Sequence, residues 1–228
     1  MLFDLPPALT LPVDGETARY PVGRIFCVGR NYAAHAAEMG SEVDREAPFY
    51  FTKAATHAVG SGETAPYPPG TSNYHHEMEL AVTLGDDAFR VPAEDAMQAV
   101  HGYACALDMT RRDRQQDGKD KRRPWDLGKD VEGSAVIGTV TPRDRFEIGT
   151  QRIWLSVDGE VRQDATLDEL IHSVPEIIAD LSKYYHLRPG DVILTGTPAG
   201  VGPVSAGQVI AGGIDGLRDI ALTIGPLV

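Results

Sequence analysis

The sequence predicts a β-rich α+β domain, and three observations predict it. Segments with two-residue apolar alternation, or with short apolar runs, outnumber segments with helical periodicity. Glycine and proline, 24 and 16 residues, are spread along the chain and suit many short strands joined by turns. Strands and helices do not alternate regularly, which disfavours a doubly wound sheet or a (β/α)₈ barrel. A chain of 228 residues supports one sizeable core and is short for two full domains. Residues 1–20 therefore read as an N-terminal appendage and residues 21–228 as a single domain.

Residues 24–28 read as a buried strand, followed by a short helix over residues 31–39. Residues 60–73 (GSGETAPYPPGTSN) are loop-like. In residues 77–84, Met78, Leu80, Val82 and Leu84 alternate onto one face, which predicts a strand. Residues 92–99 suit a short helix. Residues 102–109 read as a buried strand, with a helix expected near Thr110. Residues 153–157, the turn Asp158-Gly159 and Val161 form a hairpin signal. Ser173 and Glu176 fit a capping box, and Val174, Ile177, Ile178 and Leu181 then follow helical spacing. Residues 191–195 and 220–224 read as later strands.

Charge and composition exclude some functions. A net charge of −12 disfavours nucleic acid as a partner. The exception is a basic run: Arg111, Arg112, Arg114, Lys119, Lys121, Arg122 and Arg123, against Asp113, Asp117 and Asp120. It reads either as a solvated helix or loop or as a positive site for a small anion. No stretch approaches the roughly 20 apolar residues of a membrane helix, and residues 1–12 do not read as a signal peptide. Cys27 and Cys105 form no CxxC pair, so two buried thiols in a reducing, cytoplasmic setting are expected.

Chemistry concentrates in HHEMEL, residues 75–80. On a strand, Glu77 and Glu79 leave the same face. Neighbouring carboxylates repel unless a cation or a proton sits between them. An all-oxygen set suits Mg²⁺, Mn²⁺ or Ca²⁺ better than Zn²⁺. A solvated strand face would carry the same pair. Asp108 ends an apolar strand and needs a partner: a metal, Arg111 or Arg112, or the N-terminus of the next helix. His35 and Glu38 are three residues apart and share a face if helical. Gly196, Gly200 and Gly202 form a flexible turn that is not a P-loop, because no Gly-Lys-Ser/Thr follows.

Four motifs occur together: HHExE at residues 75–79, LDMTxRD at 107–113, PWxxGK at 124–129 and TGTPxGVGP at 195–203. Their order and spacing resemble the fumarylacetoacetate hydrolase family, over about residues 20–225. The short single-domain acylpyruvase and fumarylpyruvate hydrolase type is the most similar. The resemblance implies a mixed β-sandwich roll with few short helices, which assembles as a homodimer. It implies Glu77, Glu79 and Asp108 as ligands of Mg²⁺ or Mn²⁺. It implies that His35 and Glu38, on a lid, activate water, with Lys129 as a cation beside the developing enolate. It places Arg112, Gln115, Lys53 and Thr197 around a small 2-oxo acid substrate.

Two departures stand out. Ala54 follows Lys53 where the family usually has proline, and DVEGS (residues 130–134) stands where many relatives carry Phe-Asp before the serine. The implied reaction is hydrolysis of a C–C bond in an acylpyruvate, fumarylpyruvate foremost. The same site could instead decarboxylate oxaloacetate, or isomerise and decarboxylate 2-hydroxyhepta-2,4-diene-1,7-dioate. An acidic Ca²⁺-binding module is the non-enzymatic alternative.

Overall fold

The computed structural model describes residue 2, residues 7–40 and residues 45–227. Its strands form one large mixed sheet, a second sheet packed on one face of it, and two small sheets. The large sheet runs Phe49–Lys53, Ile25–Gly29, Val192–Leu194, Met78–Leu84, Val100–Asp108, Ala135–Ile137, Ala58–Gly60, and Thr141–Pro142 also pairs with Val100–Asp108. The second runs Glu160–Thr166, Arg152–Val157, Val209–Ile214, Ile220–Leu227, Thr64–Tyr67. Helices are few and short, the longest being Arg112–Asp120 and Val174–Leu181. This is the β-rich α+β architecture the sequence predicts.

Both faces of the large sheet are covered, so its central strands carry apolar side chains on both sides. Met78, Leu80, Val82 and Leu84 enter the main core with Tyr103, Cys105 and Leu107, against Ile153, Leu155, Ile210 and Leu222 of the second sheet. The other face carries Ala81, Ala104, Ala106, Ala135 and Cys27, packed under Leu11, Val13, Tyr20 and Val22. The N-terminal strands Thr10–Pro12 and Arg19–Pro21 thus lie on the sheet as part of this second core.

Local signals hold in detail. Ser173 Oγ and N–H both donate to Glu176 Oε2, at 2.6 and 2.7 Å, and Val174, Ile177, Ile178 and Leu181 are the buried face of the helix they open. The 152–166 hairpin turns at Asp158 and Gly159 with φ of +49° and +84°, the paired left-handed turn that Asp-Gly favours. One expectation fails. Within the loop-like 60–73 stretch, Thr64–Tyr67 is a strand parallel to Ile220–Leu227. Pro66 obscures its pattern and is tolerated because this strand is the outermost of its sheet.

Leu107 is fully buried opposite Met78, one residue before Asp108. Leu107→Ala is expected to cost about 2–5 kcal/mol, seen as a lower urea midpoint at unchanged slope.

Candidate active site

Strand register builds the acidic centre. Glu79 pairs with Ala106, and the N–H of Asp108 donates to the Glu77 carbonyl at 2.9 Å. Asp108 therefore lies across from Glu77 and diagonal to Glu79, on the face opposite Met78 and Leu107. One oxygen from each carboxylate falls within 4.8 Å of the others, and all three residues are buried.

Three buried carboxylates need positive charge, and three cations converge. Lys129 Nζ donates to Glu77 Oε2 at 2.8 Å, to Asp108 Oδ2 at 2.7 Å and to Thr110 Oγ1 at 2.8 Å. Arg112 donates to the other Glu77 oxygen and, at 2.6 Å, to Gln115 Oε1. Lys53 Nζ lies 2.9 Å from Asp108 Oδ1 and donates to the Met109 and Lys129 carbonyls. Burial raises the Glu77 pKa, but Lys129 and Arg112 more than offset it and hold the carboxyl well below its usual range. Burial lowers that of Lys129, and Asp108 and Glu77 overcome it, so the lysine stays charged.

Glu79 is left short of charge. It accepts the Gly196 N–H at 2.6 Å, while burial, Asp108 and Glu77 push its pKa well above the carboxylate range. Asp108 Oδ1 receives no well-aligned hydrogen bond, although Lys53 is near. A strained carboxylate, an under-satisfied one and an all-oxygen donor set fit a hard divalent cation held by Glu77, Glu79 and Asp108.

The helix Ala33–Glu38 closes the cavity. Asn31 clamps its base: its side chain donates to the His172 and Thr195 carbonyls, both at 2.9 Å, and accepts the His172 N–H at 2.7 Å. His35 is buried, with Nδ1 3.2 Å from Glu38 Oε2, and Glu38 in turn accepts the Gly200 N–H at 3.1 Å. Burial lowers the His35 pKa, only partly opposed by Glu77 and the Glu38 hydrogen bond, so the imidazole is neutral near pH 7. Gly196 is required for this closure. Its φ is +99°, and a Cβ there would lie 2.7 Å from Asn31 Cβ.

The cavity is lined by His35, Glu77, Glu79, Asp108, Arg112, Gln115, Lys129 and Thr197, with Arg30, Met39, Phe51, Lys119 and Trp125 among the rest. About 20 Å³ of free space remains, room for one water. A cleft of about 880 Å³ lies elsewhere, beside Tyr103, Phe146, Leu167 and Val174, and includes none of these groups. Of the catalytic, metal-binding and substrate-binding residues singled out from sequence, Glu38 and Lys53 are absent from the lining; Glu38 reaches the cavity only through His35. Lys53 stands behind Asp108 as a charge partner rather than facing the cavity.

Sequence reasoning missed two positioning residues besides Asn31. Gln163 is fully buried on the strand Glu160–Thr166. Its amide nitrogen donates to Thr197 Oγ1 and the Pro198 carbonyl, both at 2.8 Å, and its oxygen accepts the Met78 N–H at 2.9 Å. It thereby ties the glycine-rich loop to the strand carrying Glu77 and Glu79. Its only sequence signal is a polar residue within a hairpin strand. Thr110 is the other: it receives Lys129 and donates to Glu77 Oε1 at 3.2 Å.

A buried carboxylate triad on a mixed sheet, beneath a short helix bearing a buried histidine, defines a candidate divalent-metal centre. The chain belongs to the fumarylacetoacetate hydrolase family: the model of the fumarylacetoacetate (FAA) hydrolase C-terminal region matches residues 24–225. It is 50% identical over 190 residues to a fumarylpyruvate hydrolase of Ralstonia sp, covering 82% of this chain and 99% of the relative. It is 44% identical over 201 residues to the mitochondrial oxaloacetate tautomerase FAHD1 of Homo sapiens, covering 88% and 90%. The crystal structure of fumarylpyruvate hydrolase from Pseudomonas aeruginosa, in complex with Mn²⁺ and pyruvate, superposes with a TM-score of 0.95 at 43% identity, covering 99% of each chain.

The two glutamates should respond oppositely. Without metal, Glu79→Gln relieves like-charge crowding and is expected to leave the melting temperature unchanged or raised. Glu77→Gln strips Lys129 and Arg112 of a buried partner and should cost about 3 kcal/mol. Both should abolish metal-induced stabilisation, about 2.7 kcal/mol for wild type at 100-fold excess over Kd. Thermal melts in chelator and in Mn²⁺ check this, and a Glu79→Gln protein that keeps the full metal shift would remove Glu79 from the ligand set.

Proposed function

We propose that this protein hydrolyses the C3–C4 bond of an acylpyruvate, with fumarylpyruvate as the leading substrate and fumarate and pyruvate as products. The observation that carries this reading is the buried His35, braced by Glu38 and facing the same cavity as the carboxylate triad. The 50% identity to the Ralstonia fumarylpyruvate hydrolase supports it. When bound, a divalent cation, here proposed as Mg²⁺ or Mn²⁺, supplies fixed positive charge against the oxygens of a 2-oxo acid.

The residues divide the remaining work. His35 takes a proton from water, and the hydroxide formed adds to the C4 carbonyl. Glu38 orients the ring and stabilises the imidazolium. As the C3–C4 bond breaks, its electron pair passes into the enolate of pyruvate. Lys129 stands beside that enolate as a preorganised charge. C3 takes up one proton, equivalent to the one His35 removed, and the second water proton leaves with the acid. Arg112, Gln115 and Thr197 position the substrate. With room for about one water in the cavity, its lining must move to admit substrate, and closure of the helix Ala33–Glu38 over it would exclude bulk solvent.

Oxaloacetate chemistry is the second reading, supported by the 44% identity to the human tautomerase. A panel of fumarylpyruvate, acetylpyruvate and oxaloacetate separates the two. Faster turnover of oxaloacetate than of either acylpyruvate would overturn the hydrolase reading. A cytoplasmic homodimer completes the proposal. Two buried free cysteines support the reducing compartment, and the family resemblance supports the dimer.

Because the base must be neutral, kcat/KM is expected to rise with pH through a midpoint below the ordinary histidine value of about 6.5. Glu38→Gln removes a hydrogen bond that raises the His35 pKa, so its midpoint should move lower and its plateau fall. His35→Ala should lower the plateau by about a hundredfold or more. An unchanged pH profile in His35→Ala would assign the base elsewhere.

A further inference from the structure

The basic run between residues 111 and 123 is only partly used by the chemistry above. On the helix Arg112–Asp120, residues 112, 115 and 119 share one face, and all three line the cavity. Arg112 and Gln115 sit deep and are buried, whereas Lys119 is half-exposed. Beside it lies Arg30, exposed, and both cations approach one ring: Arg30 Cζ is 5.8 Å and Lys119 Nζ 5.2 Å from the centroid of Trp125. The triad is buried and these three residues are not, so they form the solvent end of the same cavity.

We propose that Arg30, Lys119 and Trp125 form a second anion subsite at the cavity mouth, which takes the far carboxylate of a 2-oxo dicarboxylic acid and selects such substrates over monocarboxylic 2-oxo acids. This rests on the reading of the triad as the site for the 2-oxo acid end.

Four features carry it. First, neither cation pairs with a carboxylate among the described residues, although the chain has a net charge of −12. The cations deeper in the site, Lys53, Arg112 and Lys129, are all paired. Second, the two positive groups oppose each other. Burial, then Arg112 and Arg30, depress the Lys119 pKa to about 8, a penalty that an anion between them removes. Third, the platform is stiff. Trp125 packs edge-on against Phe49 at 4.9 Å, and its carbonyl accepts the Gly128 and Lys129 N–H groups at 2.7 and 2.9 Å. The ring is thereby fixed to the turn that carries Lys129. Fourth, Arg30 is held in place. Its φ is +60°, a left-handed conformation rare for arginine, immediately before the clamped Asn31. Fumarylpyruvate has a carboxylate at each end, and acetylpyruvate lacks the far one.

The test uses the full chain loaded with Mn²⁺ and two ligands of equal carbon number, 2-oxopimelate and 2-oxoheptanoate, measured by calorimetry. Wild type is expected to bind the diacid about tenfold tighter or more, and Arg30→Gln or Lys119→Gln should each weaken the diacid about tenfold while shifting the monoacid less than about twofold. Lys119→Arg should keep the preference. Equal wild-type affinities, or equal weakening of both ligands in the variants, overturns the subsite. A preference for the diacid without turnover of any acylpyruvate sinks the hydrolase reading and leaves the subsite standing. If neither acid binds, both readings are overturned.

Discussion

Three buried carboxylates on neighbouring positions of one sheet face are the constraint on which the rest of the site depends. Each would cost several kcal/mol to ionise alone in such surroundings, and together they repel. The chain answers with Lys53, Arg112 and Lys129, delivered from three separate segments. These cations balance the carboxylates in number but not in position. Glu77 is over-provided, held by both Lys129 and Arg112, whereas Glu79 has only a backbone N–H. The imbalance gives the site direction, since an added cation gains most on the Glu79 side. With a divalent ion in place the cluster becomes net positive, which suits an anionic ligand.

That charge arrangement is useful only if its geometry is held, and the holding residues lie far apart in sequence. Gln163, on the second sheet, joins the Met78 N–H to Thr197 and Pro198. Asn31 joins the base of the helix Ala33–Glu38 to Thr195 and His172. Glu38 closes the ring by accepting from Gly200. The loop of residues 195–203 is thus gripped from the sheet below and from the helix above. Each grip is a hydrogen bond to backbone or to a hydroxyl, and the two from Gln163 and Asn31 fix position without adding charge to a site that is already crowded.

Much of this was legible in sequence, for identifiable reasons. The alternation of residues 77–84 placed Glu77 and Glu79 on one face, because strand period depends on nothing outside the strand. The Ser173–Glu176 box and the Asp158-Gly159 turn are equally local. Asp108 stayed ambiguous in isolation, since its partner is set by the register between two strands, and register is tertiary. The motifs resolved it only through family resemblance. Gln163 shows in sequence only as a polar residue within a hairpin strand, and the roles of Gln163 and Asn31 exist only where distant segments meet. The resemblance places Lys53 around the substrate, and the fold sets its ammonium against Asp108, outside the cavity lining, a placement that no local pattern encodes. The strand Thr64–Tyr67 is masked in sequence by Pro66, which an edge position tolerates.

Of the two departures from the family pattern, Ala54 is tied directly to the segment that carries the other, through Asp130, the residue before Val131. The Ala54 N–H donates to Asp130 Oδ1 at 3.0 Å, a bond that proline could not make. His57 Nδ1 lies 2.7 Å from the same oxygen. Asp130 directly follows Lys129, Ala54 directly follows Lys53, and Lys53 donates to the Lys129 carbonyl. Where proline would stiffen the backbone after Lys53 by its ring, this chain ties the two lysine-bearing segments together through a side chain. The positions of both ammonium groups around Asp108 are then set jointly. A substitution at Ala54 or Asp130 is therefore expected to act on the acidic centre through the lysines, without touching Glu77, Glu79 or Asp108.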